Sequence, residues 1–96
     1  MWFSLEAPEM LTRAKVRWQN LPLDDRVVLS IAFQDAMTNP DRVADYKWKY
    51  CRLKSGQAIV IHEFRLGFSN FIIVTTDTTA LIYDLWVDPG IALAAE

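Results

Sequence analysis

Four residues carry the side chains best suited to chemistry: His62 and Glu63, which are adjacent, the lone cysteine Cys51, and Asp84 inside an apolar run. Histidine is the side chain that titrates near neutrality, so His62 with Glu63 is the pair a general acid–base catalyst would use. Both fall in a stretch that reads as a strand, and neighbours on a strand point to opposite faces. A structural role for His62 is therefore favoured over a catalytic one. Cys51 would need an adjacent base and a depressed pKa to act as a nucleophile. Pairing Lys54 with Gln57 sets Cys51 against Val60, an apolar setting, and a buried structural thiol is expected. Asp84 sits in ALIYDLWV, where a carboxylate must be paired, hydrogen-bonded or exposed. The sequence supports two roles for it. One is an edge-strand charge that discourages sheet-to-sheet aggregation; the other is a polar anchor in a pocket with Tyr83 or His62. One His and one Cys fall short of the three or four ligands zinc requires, so neither metal nor cofactor is expected.

The stretch KWKYCRLK, residues 47–54, interleaves basic and aromatic side chains. Such a pattern can bind single-stranded nucleic acid. Alternation, however, places Arg52 on the face of Trp48 and Tyr50 while Lys47 and Lys49 take the other. With a net charge of −2 no global basic field attracts nucleic acid. A solvated strand face is the better reading, with no nucleic-acid partner. The same register sets Trp48 opposite Glu63, Tyr50 opposite Ile61 and Lys49 opposite His62.

The elements that hold these residues form an α+β domain over residues 1–96, two N-terminal helices on one face of a four-stranded antiparallel meander. The meander reads Tyr46 to Leu53, then AIVIHEFRL, FIIVTT and ALIYDLWV. Its breaks are Lys54-Ser55-Gly56, a looser Gly67-Phe68-Ser69-Asn70, and Asp77-Thr78-Thr79. Leu11, Ala14, Trp18 and Leu21 give an amphipathic helix from Pro8 to about Asn20, with Arg13, Lys15 and Arg17 off its apolar line. A second helix starts near Asp24 and Asp25, whose charge suits its positive end, and stops at Thr38-Asn39-Pro40. A further helical turn or two to about Asp45 is compatible with Pro40. Residues 1–7 read as a docked segment rather than a strand, and the tail Ile91 to Glu96 as too apolar to stand alone in water.

The apolar fraction is 52%, with four Trp, three Tyr and five Phe. A chain of 96 residues hides only about 60–65% of its unfolded surface. Phe71 to Val74 and the ALIYDLWV strand are apolar on both faces, while two helices can cover only one. The uncovered surface points to a partner, most economically a second copy of the chain. Trp48, Tyr50, Ile61, Phe71, Tyr83 and Trp86 are the interface or ligand candidates; His62 and Asp84 are the polar anchors. The longest apolar runs are far short of the roughly 20 residues of a membrane-spanning helix. The N-terminus lacks a signal-peptide pattern and the cysteine stands alone, so a cytoplasmic protein is expected.

The order of a short first segment, two helices with the second ending at Asn39-Pro40, a basic strand and a strand meander is similar to the RelE/ParE superfamily of toxins. That resemblance implies a ribosome- or gyrase-directed effector. The RNA-cleaving members carry clustered Lys, Arg, Tyr or His late in the sheet. Here the last strand carries Asp84 and Trp86, and no active site is carried over. The layout also resembles a cystatin-like curved sheet, which implies a small apolar-ligand carrier with a pocket lined by Trp48, Ile61, Phe71 and Trp86. With no convergent polar constellation in view, the leading expectation is a non-enzymatic interaction module that self-associates through apolar sheet surface.

Overall fold

A computed structural model describes residues 9–89. The readings for residues 1–7 and for Ile91 to Glu96 lie outside the described residues. The elements run β1 (Glu9–Met10), α1 (Thr12–Asn20), α2 (Leu23–Thr38), a 3₁₀ turn (Pro40–Arg42), β2 (Ala44–Arg52), β3 (Ala58–Leu66), β4 (Ser69–Thr75) and β5 (Ala80–Val87). This is the expected α+β fold, two helices followed by a four-stranded antiparallel sheet. The sheet order is β1-β5-β4-β3-β2, with β1 a two-residue parallel addition beside β5. The order of elements is the one on which the toxin resemblance rests, though a fold does not fix a function.

The first helix is shorter than its apolar spacing predicts. Glu9 and Met10 pair with Leu81 and Ile82, and the Leu11 N–H donates to the Ile82 carbonyl at 3.0 Å, so the chain is still extended at Leu11. The bond to the sheet displaces the first helical turn that Pro8 would otherwise open. Pro22 ends α1 and sits at the start of α2, where Asp24 and Asp25 occupy the first turn as the dipole favours. Asn39 closes α2, its N–H bonding the Asp35 carbonyl and its side-chain amide the Asp35 carboxylate.

Three turns set the register of the meander. The first is a three-residue loop, not the two-residue loop assumed in pairing Lys54 with Gln57. The Leu53 N–H bonds the Gln57 carbonyl, the Gly56 N–H bonds the Leu53 carbonyl, and Gly56 takes φ +91°. A type I turn followed by a glycine in the left-handed region is the common geometry for this loop length. The second turn is tight. Leu66 pairs with Ser69 across Gly67 and Phe68, with Gly67 at φ +59°, so Ser69 and Asn70 belong to the strand. In the third, the Thr76 hydroxyl accepts from the N–H groups of Thr78 and Thr79.

Core side chains lie between the helices and the sheet: Ala14, Leu29, Phe33 and Ala36 above, Phe64, Phe71, Ile73, Ile82 and Leu85 below. The Phe71 ring stacks with Phe64 at 5.1 Å and meets Phe33 edge-on at 5.5 Å. α1 packs on β5, and α2 on β5, β4 and β3. Neither helix covers β2 to any extent, so the β2–β3 hairpin projects past the helical layer. Among the described residues no helix is long and apolar enough to cross a membrane.

Candidate functional site

The projecting hairpin presents the most exposed aromatic surface among the described residues. Alternation puts Tyr46, Trp48 and Tyr50 on the helix-side face of β2, and with no helix above them Trp48 is 65% and Tyr50 55% exposed. Their cross-strand partners correct the sequence register by one residue. Trp48 pairs with His62, Tyr50 with Val60, Lys49 with Ile61 and Cys51 with Ile59. The cause is the third loop residue, and a one-residue slip changes the face of every partner. His62 therefore joins the aromatic row, while Glu63 pairs with Lys47 on the other face. Arg52 closes the row, donating to the Tyr50 hydroxyl at 3.2 Å and the Gly56 carbonyl at 2.8 Å.

His62 is 6% exposed, and both ring nitrogens are engaged. Nδ1 shares a hydrogen bond with the Tyr46 hydroxyl at 2.8 Å and Nε2 with the Thr75 hydroxyl at 2.9 Å. The Tyr46 ring lies nearly parallel to the imidazole with centroids 6.0 Å apart. This string has the connectivity of hydroxyl, base and orienting group. With both nitrogens bonded, what the string does is satisfy a buried imidazole. Burial also holds the His62 pKa below its ordinary value and raises that of the Tyr46 phenol. The folded chain thus takes up a proton at His62 less readily than the unfolded chain. Stability should be complete above about pH 6.5 and fall as the pH drops below it towards the folded value. Thermal melts from about pH 7.5 to about pH 5.5, spanning the ordinary histidine range, should show a steeper loss for the native chain than for His62→Gln. Equal slopes would assign the pH dependence to another group.

Asp84 is the second anchor; it is held beside Tyr83 through a shared arginine and is not an exposed edge charge. β4 and β5 are out of step at this point: Ile73 pairs with Ile82 and Ile72 with Asp84, so Tyr83 is an extra residue, a β-bulge. Asp84 lies beyond the two positions that β1 pairs, where α1 covers the strand. Its carboxylate accepts from Arg17 Nε at 2.6 Å, Arg13 Nη2 at 3.2 Å and the Leu85 N–H at 2.9 Å. Arg13 also donates to the Tyr83 hydroxyl at 2.9 Å, its guanidinium lying 4.5 Å from that ring's centroid. Asp84 is therefore neither an exposed edge charge nor a neighbour of His62, which has its own partners. It fastens α1 to β5.

The remaining candidates fall on different surfaces. Phe71 is 1% exposed, in the core. Ile61 and Trp86 are half-buried on the helix-free face, Ile61 opposite Lys49 and Trp86 opposite Asn70. The four do not line one pocket: Trp48 and Ile61 border a cleft with Lys47, Lys49 and Glu63, and Phe71 and Trp86 border another with Asn70 and Ile72. A separate groove of about 450 Å³ lies between the helices. Its walls are Trp18 of α1 and Leu29, Phe33 and Met37 of α2, its floor is Phe71, Ile82 and Leu85, and Ser30, Gln34 and Thr38 line one side. Cys51 is half-buried on the strand, and no group of three potential metal ligands occurs among the described residues.

A further surface is visible only once the packing is known. α2 buries Leu29, Ala32, Phe33 and Ala36, yet Leu23, Val27, Val28 and Ile31 on its other side stand 46–67% exposed. Leu23, Val27 and Ile31 are four residues apart, one row of a helix. That spacing was the signal in the sequence. Val28, beside that row, is also exposed. The chain matches no protein-family model, no curated protein and no solved structure.

Proposed function

We propose that this chain is a non-enzymatic interaction module that self-associates. One observation carries the reading. The described residues expose two apolar surfaces, the outer row of α2 and the aromatic row of β2. An apolar row left exposed on the side of a helix away from its core marks an interaction surface. Trp, Tyr and Arg, the types that dominate interface energetics, stand together as Trp48, Tyr50 and Arg52. Solution mass by light scattering across a dilution series tests this. A mass twice that of the chain, falling on dilution, is expected; a monomer up to several hundred micromolar would refute self-association.

The groove between the helices favours a second reading, a carrier of a small apolar ligand. Its volume lies in the usual range for ligand sites, about 300–1,000 Å³. Trp18 on its wall supplies the signal. Saturable quenching of Trp fluorescence by a short-chain fatty acid or a planar aromatic probe, lost in Phe33→Trp, which narrows the groove, would favour the carrier.

A further inference from the structure

The two exposed apolar surfaces carry opposite charge. α2, Leu23–Thr38, holds Asp24, Asp25 and Asp35 against Arg26, a net −2. On the hairpin arm Lys47 and Lys49 point to the helix-free face, so the charges beside Trp48 and Tyr50 are those of Arg52 and, at the adjoining turn, Lys54. Asp35 is already paired with Arg42 and Asp45 with Arg65. Among the described residues Asp24, Arg52 and Lys54 enter no ion pair. The exposed row of α2 lies on the side away from the sheet, so the arm of the same chain cannot reach it.

Resting on the self-association reading, we infer that two copies pair about a two-fold axis, the outer row of α2 in one against the aromatic face of β2 in the other. Leu23, Val27 and Ile31 of one protomer then cover Trp48 and Tyr50 of its partner. Asp24, exposed beside that row, approaches Arg52 and Lys54. The two-fold repeats the contact, so each chain covers both of its exposed rows in a single closed assembly, with none left over to propagate. An α2–α2 contact would instead bring acidic helices together and leave Trp48 and Tyr50 in water. Pairing of β2 edges at Trp48 would set Lys47 against Lys49, a repulsive cross-strand pair.

Complementation by mixing tests the arrangement on the full chain. Ile31→Lys places a positive charge against the basic arm, and Trp48→Asp a negative charge against the acidic helix. Both side chains are more than 60% exposed, so far-UV circular dichroism should be unchanged. Leu23→Lys and Tyr50→Asp serve where either first choice fails to fold. Each variant alone should weaken association at least about tenfold, as loss of a central anchor does. An equimolar mixture should regain the dimer mass. The mixed pair keeps one native contact, and at the second it sets the introduced lysine of one chain against the introduced aspartate of the other. If the native chain is a dimer but either variant stays dimeric, or the mixture stays monomeric, this arrangement is overturned while self-association stands. A monomeric native chain would overturn both.

Discussion

Phe71→Ala is expected to lower the unfolding free energy by about 3–5 kcal/mol, the range for truncating a buried phenylalanine. Against a typical total of about 5–15 kcal/mol, that would leave a sizeable unfolded fraction at 37 °C. Phe71 joins three elements. It stacks on Phe64 of the neighbouring strand, meets Phe33 of α2 edge-on, and forms part of the floor of the groove between the helices. The helices already stand apart over that groove, so they are poorly placed to close over a new void. The cost should therefore lie towards the upper end of the range. Phe71→Leu, which keeps most of the volume, should cost far less. Urea unfolding measures both through the midpoint at constant m value. A loss below about 1.5 kcal/mol for Phe71→Ala would mean that the core collapses freely around the site.

The elements of the fold were legible because each carries a local signal. Asp24-Asp25 and Asn39-Pro40 bound α2, and Gly56 and Gly67 mark the two turns that need positive φ. β1 has no such signal. Two residues have no periodicity, and its partner β5 is some seventy residues away. The register of β2 on β3 was ambiguous for a different reason: Lys54-Ser55-Gly56 suits a two-residue or a three-residue loop, and only the hydrogen bonds of Leu53 decide. That single residue moves His62 to the aromatic face. The clamp on Asp84 was half legible. Arg13 and Arg17 are four apart and share one flank of α1, but which carboxylate they meet depends on how α1 crosses the sheet.

The helices also explain why the exposed surface lies where it does. Apolar strands imply surface left uncovered by two helices, and the natural candidates were the doubly apolar β4 and β5. The helices cover one face of these strands, and Ile72, Val74, Leu81 and Trp86 on the other face are half-buried. α1 and α2 sit over β5, β4 and β3, so the uncovered helix-side aromatics are those of β2, and the uncovered aliphatics belong to α2 itself. A short helical layer on a wider sheet leaves its overhang exposed, and here the overhang carries Trp48 and Tyr50.

Removing both arginines of the clamp, Arg13→Ala with Arg17→Ala, should cost about 2–4 kcal/mol and loosen α1 selectively. Breaking a buried ion pair by deleting one partner typically costs about 3–5 kcal/mol, because a charge stays behind in a poorly solvated place. The arginine side chains are about half exposed and the Asp84 side chain only 8%, so water screens part of the effect. α1 has nine residues, too few to be helical on its own. Its buried residue is Ala14, half-buried Trp18 borders the groove, and the helix makes little contact with α2. The clamp is thus a main tie between α1 and the sheet, and hydrogen exchange should quicken in α1 before it does in β3 or β4. Asp84→Asn tests the cause. In the native background it removes the charge that both arginines bond and should destabilise. In the double-alanine background it removes the stranded charge and should restore stability, giving a coupling of opposite sign in the mutant cycle. Additive losses would show that Asp84 acts through its bond to the Leu85 N–H and the bulge, and that α1 is held by packing alone.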